Sequence, residues 1–363
     1  MKSSILIFSG LLLLTATPNA NAFSAQMYAN TISAHNIGVI QHTITTNAFN
    51  SFKGSMATAL GKDTPTPQTS EDPHKTYGRA PMYGTASIYG EYNDDGRAGR
   101  SGGDTLNANA ALNNLWVNWY HLGDNAKFDD FSRLEMKYDT VMFGIAGGQT
   151  KMLNGLSKWG LYTGYVGGTQ ENKDINIDGN GGYFGIYNGN TFGNLGLFAT
   201  VNGGVLNNSA ETMFGSDEFT NFWLGGAIDA TYDYALDSTF TLQPGAHIGY
   251  TWVRSEDYQT TSGSYLENEP MGLIEFTPHI SAIKHIGNGW IGAINLKYTM
   301  LFTTGGDTNA NSATIPELDF GNFTEYTLSL EKSVYNFNFS ANFGRRDGAR
   351  DGWIGGLNIK YLF

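Results

Sequence analysis

The residues whose types and spacing could support chemistry begin with an acidic motif, Asp174-x-Asn176-x-Asp178-Gly179. Its spacing matches the first half of a calcium-binding loop, in which alternating oxygen ligands precede a glycine. Such a loop also needs a bidentate glutamate at its twelfth position, where this chain has Gly185. We therefore interpret the motif as a polar hairpin turn rather than as a calcium site.

A second group of candidates consists of His247, His279, Asp229 and Glu275, which all fall on the polar faces of predicted strands. Histidine paired with a carboxylate can act as a general base. No Gly-x-Ser-x-Gly or similar nucleophile sequence accompanies them. Enclosed polar groups need hydrogen-bond partners in any fold, so we interpret these four as structural. The sequence predicts no catalytic residue, no metal site and no cofactor, and we do not expect an enzyme.

A third group is the charged cluster near the end of the chain, where Arg345, Arg346 and Arg350 alternate with Asp347 and Asp351. Guanidinium groups bind phosphates in a bidentate manner, so the three arginines could contact lipopolysaccharide. A solvated, charged external loop is the interpretation that we favour.

The elements that must position these groups are predicted from the last twelve residues, Gly352 to Phe363. Apolar residues recur there at every second position, which is the period of a β-strand. Aromatic residues stand at both ends of this apolar face, as in a strand whose one face contacts lipid. The residues Gly356, Ile359, Tyr361 and Phe363 resemble the C-terminal insertion signal of bacterial outer-membrane barrels.

The same alternation continues through the region from 112 to 363, which we predict to be an all-β, transmembrane antiparallel barrel of about twelve strands. A break in the alternation near Asp139-Thr140 predicts a β-bulge. The predicted strands are Leu112–His121, Phe131–Gly147, Lys158–Thr169, Ile175–Asn188, Phe192–Leu206, Phe219–Ala235, Ser238–Arg254, Met271–Lys284, Gly289–Thr303, Phe323–Lys332, Tyr335–Arg345 and Gly352–Phe363.

The predicted connections alternate between short and long, which is typical of bacterial barrels with periplasmic turns and external loops. Tight turns are predicted at residues 189–191, 236–237, 285–288 and 333–334. Long polar loops are predicted at residues 207–218, 255–270 and 304–322.

Residues 1–22 read as a secretory signal peptide, with Lys2, an apolar run and the cleavage site Ala20-Asn21-Ala22. Residues 23–60 repeat apolar side chains at intervals of four, which predicts a helix whose apolar stripe winds around its axis. That helix could lie in the barrel lumen, or the segment could be a partly ordered leader. Residues 61–111 are a Pro- and Gly-rich linker with one possible strand, Met82–Tyr92.

Composition supports an exported membrane barrel. Only 15% of the residues are charged, 47 are glycine and none is cysteine, which excludes disulfides and thiolate metal sites. The net charge of −12 disfavours binding to nucleic acid.

The region from Asn114 to Phe363 resembles the translocator β-domain of autotransporters, the type V secretion proteins. The resemblance rests on Leu115-Trp116-Val117-Asn118-Trp119-Tyr120, on Gly144, on the number of strands and on the Tyr361-Leu362-Phe363 ending. It implies a monomeric barrel in the outer membrane of a Gram-negative bacterium, inserted by the barrel-assembly machinery among lipids and lipopolysaccharide. The chain departs from the family because its passenger region is short and its helix lies some fifty residues before the first strand.

The resemblance implies that the barrel translocates or displays its own N-terminal segment. Three alternatives remain open from the sequence: a passive porin-like channel, a surface protein that binds partners through its loops, and an outer-membrane enzyme.

Overall fold

The computed structural model describes residues 18–60, 112–128, 131–147, 150–152, 155–311, 313–316, 318 and 321–363. One helix, α1 (Pro18–Leu60), precedes eighteen strands. The strands are β1 (Leu112–Phe128), β2 (Phe131–Gly147), β3 (Thr150–Met152), β4 (Gly155–Glu171), β5 (Ile175–Phe192), β6 (Leu195–Thr212), β7 (Gly215–Tyr232), β8 (Tyr234–Ala235), β9 (Phe240–Ser255), β10 (Tyr258–Gln259), β11 (Tyr265–Asn268), β12 (Met271–Gly287), β13 (Trp290–Gly305), β14 (Thr308–Ala310), β15 (Ala313–Ile315), β16 (Phe323–Val334), β17 (Phe337–Gly348) and β18 (Arg350–Leu362).

Twelve long strands form a closed antiparallel barrel, as predicted. Each pairs with its neighbour along the chain, in the order β1, β2, β4, β5, β6, β7, β9, β12, β13, β16, β17 and β18. The barrel closes where β18 pairs with β1, in a register that sets Leu362 opposite Asn114 and Ile354 opposite Leu122. Closure leaves no open sheet edge in the membrane, where an unpaired backbone group would be costly.

The two faces of each strand differ as the alternation predicts. On β13, Ile294 is 63% exposed on the lipid face, whereas the next residue, Asn295, points into the lumen. On β18, Trp353, Leu357 and Ile359 point outward and alternate with buried residues such as Lys360.

The two longest connections of the described chain lie at the end opposite to that at which β1 begins and β18 ends, so we assign the latter end to the periplasm. The turn between β12 and β13 has Asn288 at φ 52° and Gly289 at φ 75°, the Asn-Gly pattern of a type I′ hairpin. At the other, external end, β10, β11, β14 and β15 form a separate four-stranded sheet within the two longest connections.

Five sequence predictions about the strands and their connections are wrong. Two predicted turns lie too early in the chain, because residues 189–191 belong to β5 and residues 333–334 to β16. Residues 207–218 are not a loop, because β6 and β7 continue to a two-residue turn at 213–214. The register between β1 and β2 runs without a shift across Asp139 and Thr140, so no bulge occurs there. Only Asp174 of the acidic motif lies in a turn, since Asn176 to Gly179 are part of β5.

Helix α1 lies inside the barrel. From Gln26 to Ser51 nearly every side chain is buried, on all sides of the helix. Because the barrel wall surrounds it, the helix needs no single apolar face, which explains why its apolar stripe winds around the axis. Within the described part of the chain, no helix is long and apolar enough to span a bilayer by itself.

Two predictions fall on residues outside the described ranges. These are most of the signal peptide and the linker at 61–111 with its possible strand Met82–Tyr92. The predicted cleavage site after Ala22 lies within α1.

Candidate functional site: the lumen and its helix

The direction of α1 follows from its contacts with the wall. Near its N-terminal end, Gln26 Nε2 donates to Asp217 Oδ2 at 2.6 Å, beside the external turn at 213–214. Near its C-terminal end, Asn358 Nδ2 donates to Ser51 Oγ at 2.7 Å, on the periplasmic half of β18. The helix therefore runs from the external surface toward the periplasm. The interval between these two contacts is roughly 38 Å at about 1.5 Å per residue, close to the thickness of a bilayer.

The lumen wall formed by β1, β2, β4, β5, β6 and β7 is built from aromatic rings that lie on glycines; we call it the aromatic wall. A Cβ atom at Gly144 would lie 2.1 Å from Trp116 Cε2, so only glycine fits beneath this indole. Gly144 and Trp116 are direct cross-strand partners. The same arrangement recurs in four more cross-strand pairs: Tyr187 on Gly160, Tyr183 on Gly164, Tyr162 on Gly185 and Trp223 on Gly204.

Neutral hydrogen bonds complete the aromatic wall. The Tyr162 hydroxyl lies 2.9 Å from Thr200 Oγ1 and accepts from Asn202 Nδ2 at 2.9 Å. Phe49 of the helix packs on Phe198 of β6, with 5.3 Å between ring centroids.

The rest of the lumen wall, from β9 to β18 together with Asp124 of β1 and Asp229 of β7, carries ionisable side chains; we call it the charged wall. At its centre Arg350 binds Asp124 through two hydrogen bonds of 2.9 Å, from Nε to Oδ2 and from Nη2 to Oδ1. Arg346 bridges Asp124 and Glu325, at 3.3 Å and 3.1 Å. Glu325 also binds Lys297 Nζ at 3.0 Å. Two basic groups thus neutralise each of these buried carboxylates, as burial of charge requires.

This network corrects the interpretation of the arginine cluster as a solvated loop. The side chains of Arg346 and Arg350 are fully buried in the lumen. Arg350 Nη2 also reaches Asn36 Oδ1 of the helix at 3.4 Å. Only Arg345 faces outward as expected, and it pairs with Asp351 at 3.0 Å. Arginines that point into the lumen cannot contact lipopolysaccharide.

The structure brings together the four histidine and carboxylate residues that the sequence placed on polar strand faces. His279 Nε2 lies 3.2 Å from Asp229 Oδ2, and His247 Nδ1 lies 3.7 Å from the same oxygen. His247 Nε2 lies 3.8 Å from Glu275 Oε1.

Sequence reasoning missed one member of this group, His42 of the helix, whose Nδ1 is 2.5 Å from Glu275 Oε1. The residues one turn before and after His42, Gly38 and Thr46, do not mark its face of the helix as functional. Because the helix is buried on every side, no face of it stands out in the sequence.

Three residues of the predicted insertion signal, Gly356, Ile359 and Tyr361, lie on β18, the strand that closes the barrel, and Phe363 follows its last residue. Ile359 and Phe363 face lipid, and Tyr361 packs against both Phe337 and Phe363, with centroids 5.0 Å and 5.2 Å apart. Gly356 faces the lumen, where a Cβ would lie 2.8 Å from Tyr120 Cδ2.

Together, a closed barrel, a lipid-facing apolar surface and a helix in the lumen define a plugged outer-membrane β-barrel. The outer membrane of a Gram-negative bacterium is also the location that the sequence predicts.

The fold is that of an autotransporter translocator β-domain, and the predicted resemblance is confirmed at this level. The β-domain of the Bordetella autotransporter BrkA superposes with a TM-score of 0.57 at 12% identity, over 69% of this chain and 99% of that one. The transport unit of the autotransporter AIDA-I from Escherichia coli superposes with a TM-score of 0.57 at 15% identity, over 71% of this chain and 92% of that one. The translocator domain of the autotransporter NalP from Neisseria meningitidis superposes with a TM-score of 0.59 at 11% identity, over 70% of this chain and 89% of that one. No protein-family model matches the sequence, and no curated protein matches it.

Proposed function

We propose that this barrel is an autotransporter-type translocator that carries its own N-terminal segment across the outer membrane and retains α1 in the lumen. The observation that carries the proposal is the direction of α1, whose N-terminal end lies at the external surface. The proposed activity is translocation and needs no catalytic residue.

The direction of α1 is informative because an exported chain reaches the barrel from the periplasm. The C-terminal end of the helix and the start of β1 both lie at the periplasmic end. The N-terminal end must therefore cross the lumen to reach its position beside Asp217.

The proposed cargo is small. With cleavage after Ala22, the mature chain begins within one helical turn of Gln26. We therefore propose that α1 is itself the transported segment and that its first residues are displayed at the cell surface.

An epitope inserted between Ala22 and Phe23 tests the direction of transport. We expect antibody to bind it on intact cells. The same epitope inserted at the periplasmic turn Tyr335-Asn336 is the matched control and should bind only after the outer membrane is opened. An N-terminal epitope detected solely in opened cells would contradict the proposal.

Deletion of Phe23–Leu60 tests the retained helix. Since α1 is buried on all sides within the lumen, the truncated barrel should conduct ions in a planar bilayer more readily than the full chain. Equal conductance of the two proteins, with the full chain already open, would favour the passive channel.

We further propose that Gly356, Ile359, Tyr361 and Phe363 form the signal read by the barrel-assembly machinery. Deletion of Tyr361–Phe363 removes two lipid-facing aromatic residues together with the signal. We expect loss of the folded, heat-modifiable barrel from the outer membrane, and normal amounts of it would refute the assignment.

A further inference from the structure

Three donor groups converge where α1 meets the charged wall. His42 of the helix, His247 of β9 and Glu275 of β12 each offer one ligand atom, and these atoms all lie within 4.8 Å of one another. All three side chains are buried. They come from three separate elements, so their convergence depends on the tertiary fold.

The distances suit a small metal ion. A tetrahedral ion with bonds of about 2.0–2.2 Å holds its ligand atoms roughly 3.3–3.6 Å apart. Glu275 Oε1 lies 2.5 Å from His42 Nδ1 and 3.8 Å from His247 Nε2, so the observed separations bracket that value. A sub-ångström movement of the Glu275 carboxylate would bring its distances to both imidazole nitrogens to ligand spacing.

The charge distribution favours a cation at this place. Glu325 and Asp124 are each neutralised by lysine or arginine. Glu275 differs, because its ion-pair partners among the described residues are the histidines His42 and His247. Glu275 thus has no lysine or arginine in ion-pair contact among the described residues, which leaves its carboxylate available to a metal cation.

The neighbouring groups are arranged as an outer shell. His247 directs Nδ1 toward Asp229 Oδ2, at 3.7 Å, and thereby presents Nε2 toward Glu275. That Nε2 has no hydrogen-bond partner in the described part of the chain. Thr277 Oγ1 donates to Glu275 Oε1 at 2.7 Å. A carboxylate behind one ligand and a hydroxyl behind another orient metal ligands in proteins.

Space for further ligands is present. A cavity of ≈ 60 Å³ lies against His42, His247 and Asp229. A single water molecule needs about 10–15 Å³ of cavity volume, so the cavity can hold the water that completes a coordination shell.

We propose that His42, His247 and Glu275 bind one divalent transition-metal ion of the Zn²⁺ type, which ties α1 to the barrel wall. A ligand set of two imidazoles and one carboxylate favours such ions over Ca²⁺ or Mg²⁺. Because two ligands belong to the wall and one to the helix, the ion would hold the helix in the lumen. Binding requires only the folded barrel, so the proposal does not depend on translocation.

The test uses the folded, full-length protein without an affinity tag, stripped with a chelator and titrated with Zn²⁺ by calorimetry. Co²⁺ serves as a second probe, because its visible spectrum reports the ligand geometry. We expect one ion per barrel and a higher thermal unfolding midpoint in Zn²⁺. His42→Gln and His247→Gln should each weaken binding at least by the roughly 10- to 100-fold that loss of an outer-shell partner costs.

His35→Gln is the matched control, since His35 is also a buried histidine of α1 but lies two turns away. It should bind Zn²⁺ as the unchanged protein does. Heat modifiability establishes that every variant is folded, and His42→Gln leaves all barrel strands intact in sequence. Absence of saturable binding, or equal binding by His42→Gln, His247→Gln and the unchanged protein, would overturn the proposal.

Discussion

The two walls of the lumen stabilise the same barrel by different means. The aromatic wall is uncharged at its core and depends on shape, since each large ring lies on a glycine of the next strand. The charged wall depends on neutralisation, with Asp124 and Glu325 held between Arg346, Arg350 and Lys297. Helix α1 touches both, through Phe49 on one side and through Asn36 and His42 on the other.

This difference indicates a division of roles. Ring-on-glycine packing tolerates no added atom at the glycine and holds each ring flat against the wall. Buried ion pairs contribute little net free energy when intact, but they strongly penalise any arrangement that leaves a charge unpaired. We therefore infer that the charged wall specifies where the helix sits, and that the aromatic wall fixes the shape of the barrel around it.

The largest expected effect comes from breaking the charged wall with Asp124→Asn. The change leaves Arg350 and Arg346 without the carboxylate that both contact, and should lower the free energy of unfolding by roughly 3–5 kcal/mol. Denaturant unfolding of the barrel in lipid vesicles measures it. Asp351→Asn is the control, because its partner Arg345 is half exposed, and such pairs contribute about 0–1 kcal/mol. Similar losses for both variants would contradict the distinct role of the buried pair.

The second prediction compares the charged wall with the lipid face, at neighbouring positions of β13. Ile294→Arg places a charge in lipid and should cost roughly 2–4 kcal/mol. Asn295→Arg places the charge in the lumen, beside Ser329 and the cavity of the charged wall. This variant should lose much less unfolding free energy than Ile294→Arg. The same unfolding measurement applies. Equal free energies of unfolding for the two variants would mean that the assignment of faces is wrong.

Much of the barrel was predictable because lipid and lumen impose a period of two on every strand. The predicted and observed bounds of the strand Met271–Gly287 differ by three residues, at its periplasmic end. The prediction failed at 207–218, where β6 and β7 rise beyond the membrane. Outward side chains there, such as Asn207 and Glu218, meet water, so the apolar half of the alternation is missing.

The site was less predictable, because its members are far apart in the chain. The polar strand faces pointed to His247, His279, Asp229 and Glu275, and the structure brings them together. The burial of Arg346 depends on Asp124, 222 residues away, and nothing near either residue indicates the other. His42 was missed because a helix enclosed on all sides has no distinct inner face in its sequence.

The third prediction tests the aromatic wall by overpacking. Gly144→Ala puts a Cβ 2.1 Å from the Trp116 ring, and should cost about 1–3 kcal/mol in unfolding free energy. Gly182→Ala is the control, since its nearest neighbour lies at 3.6 Å and an ordinary contact results. A Trp116→Leu background should remove much of the Gly144→Ala penalty. If the penalty is unchanged there, the clash with the indole is not its cause.

The smallest expected effect concerns a neutral hydrogen-bond group of the aromatic wall. Tyr162→Phe keeps the ring over Gly185 and removes only the hydroxyl, with its 2.9 Å contacts to Thr200 and Asn202. Thr200 Oγ1 still donates to the Ile186 carbonyl at 2.9 Å, but Asn202 Nδ2 loses its acceptor, so the loss should be roughly 1–2 kcal/mol. The comparison of walls requires this loss to remain well below that of Asp124→Asn in the same unfolding assay. A loss as large as that of Asp124→Asn would show that polar pairing, rather than ring-on-glycine packing, dominates the aromatic wall as well.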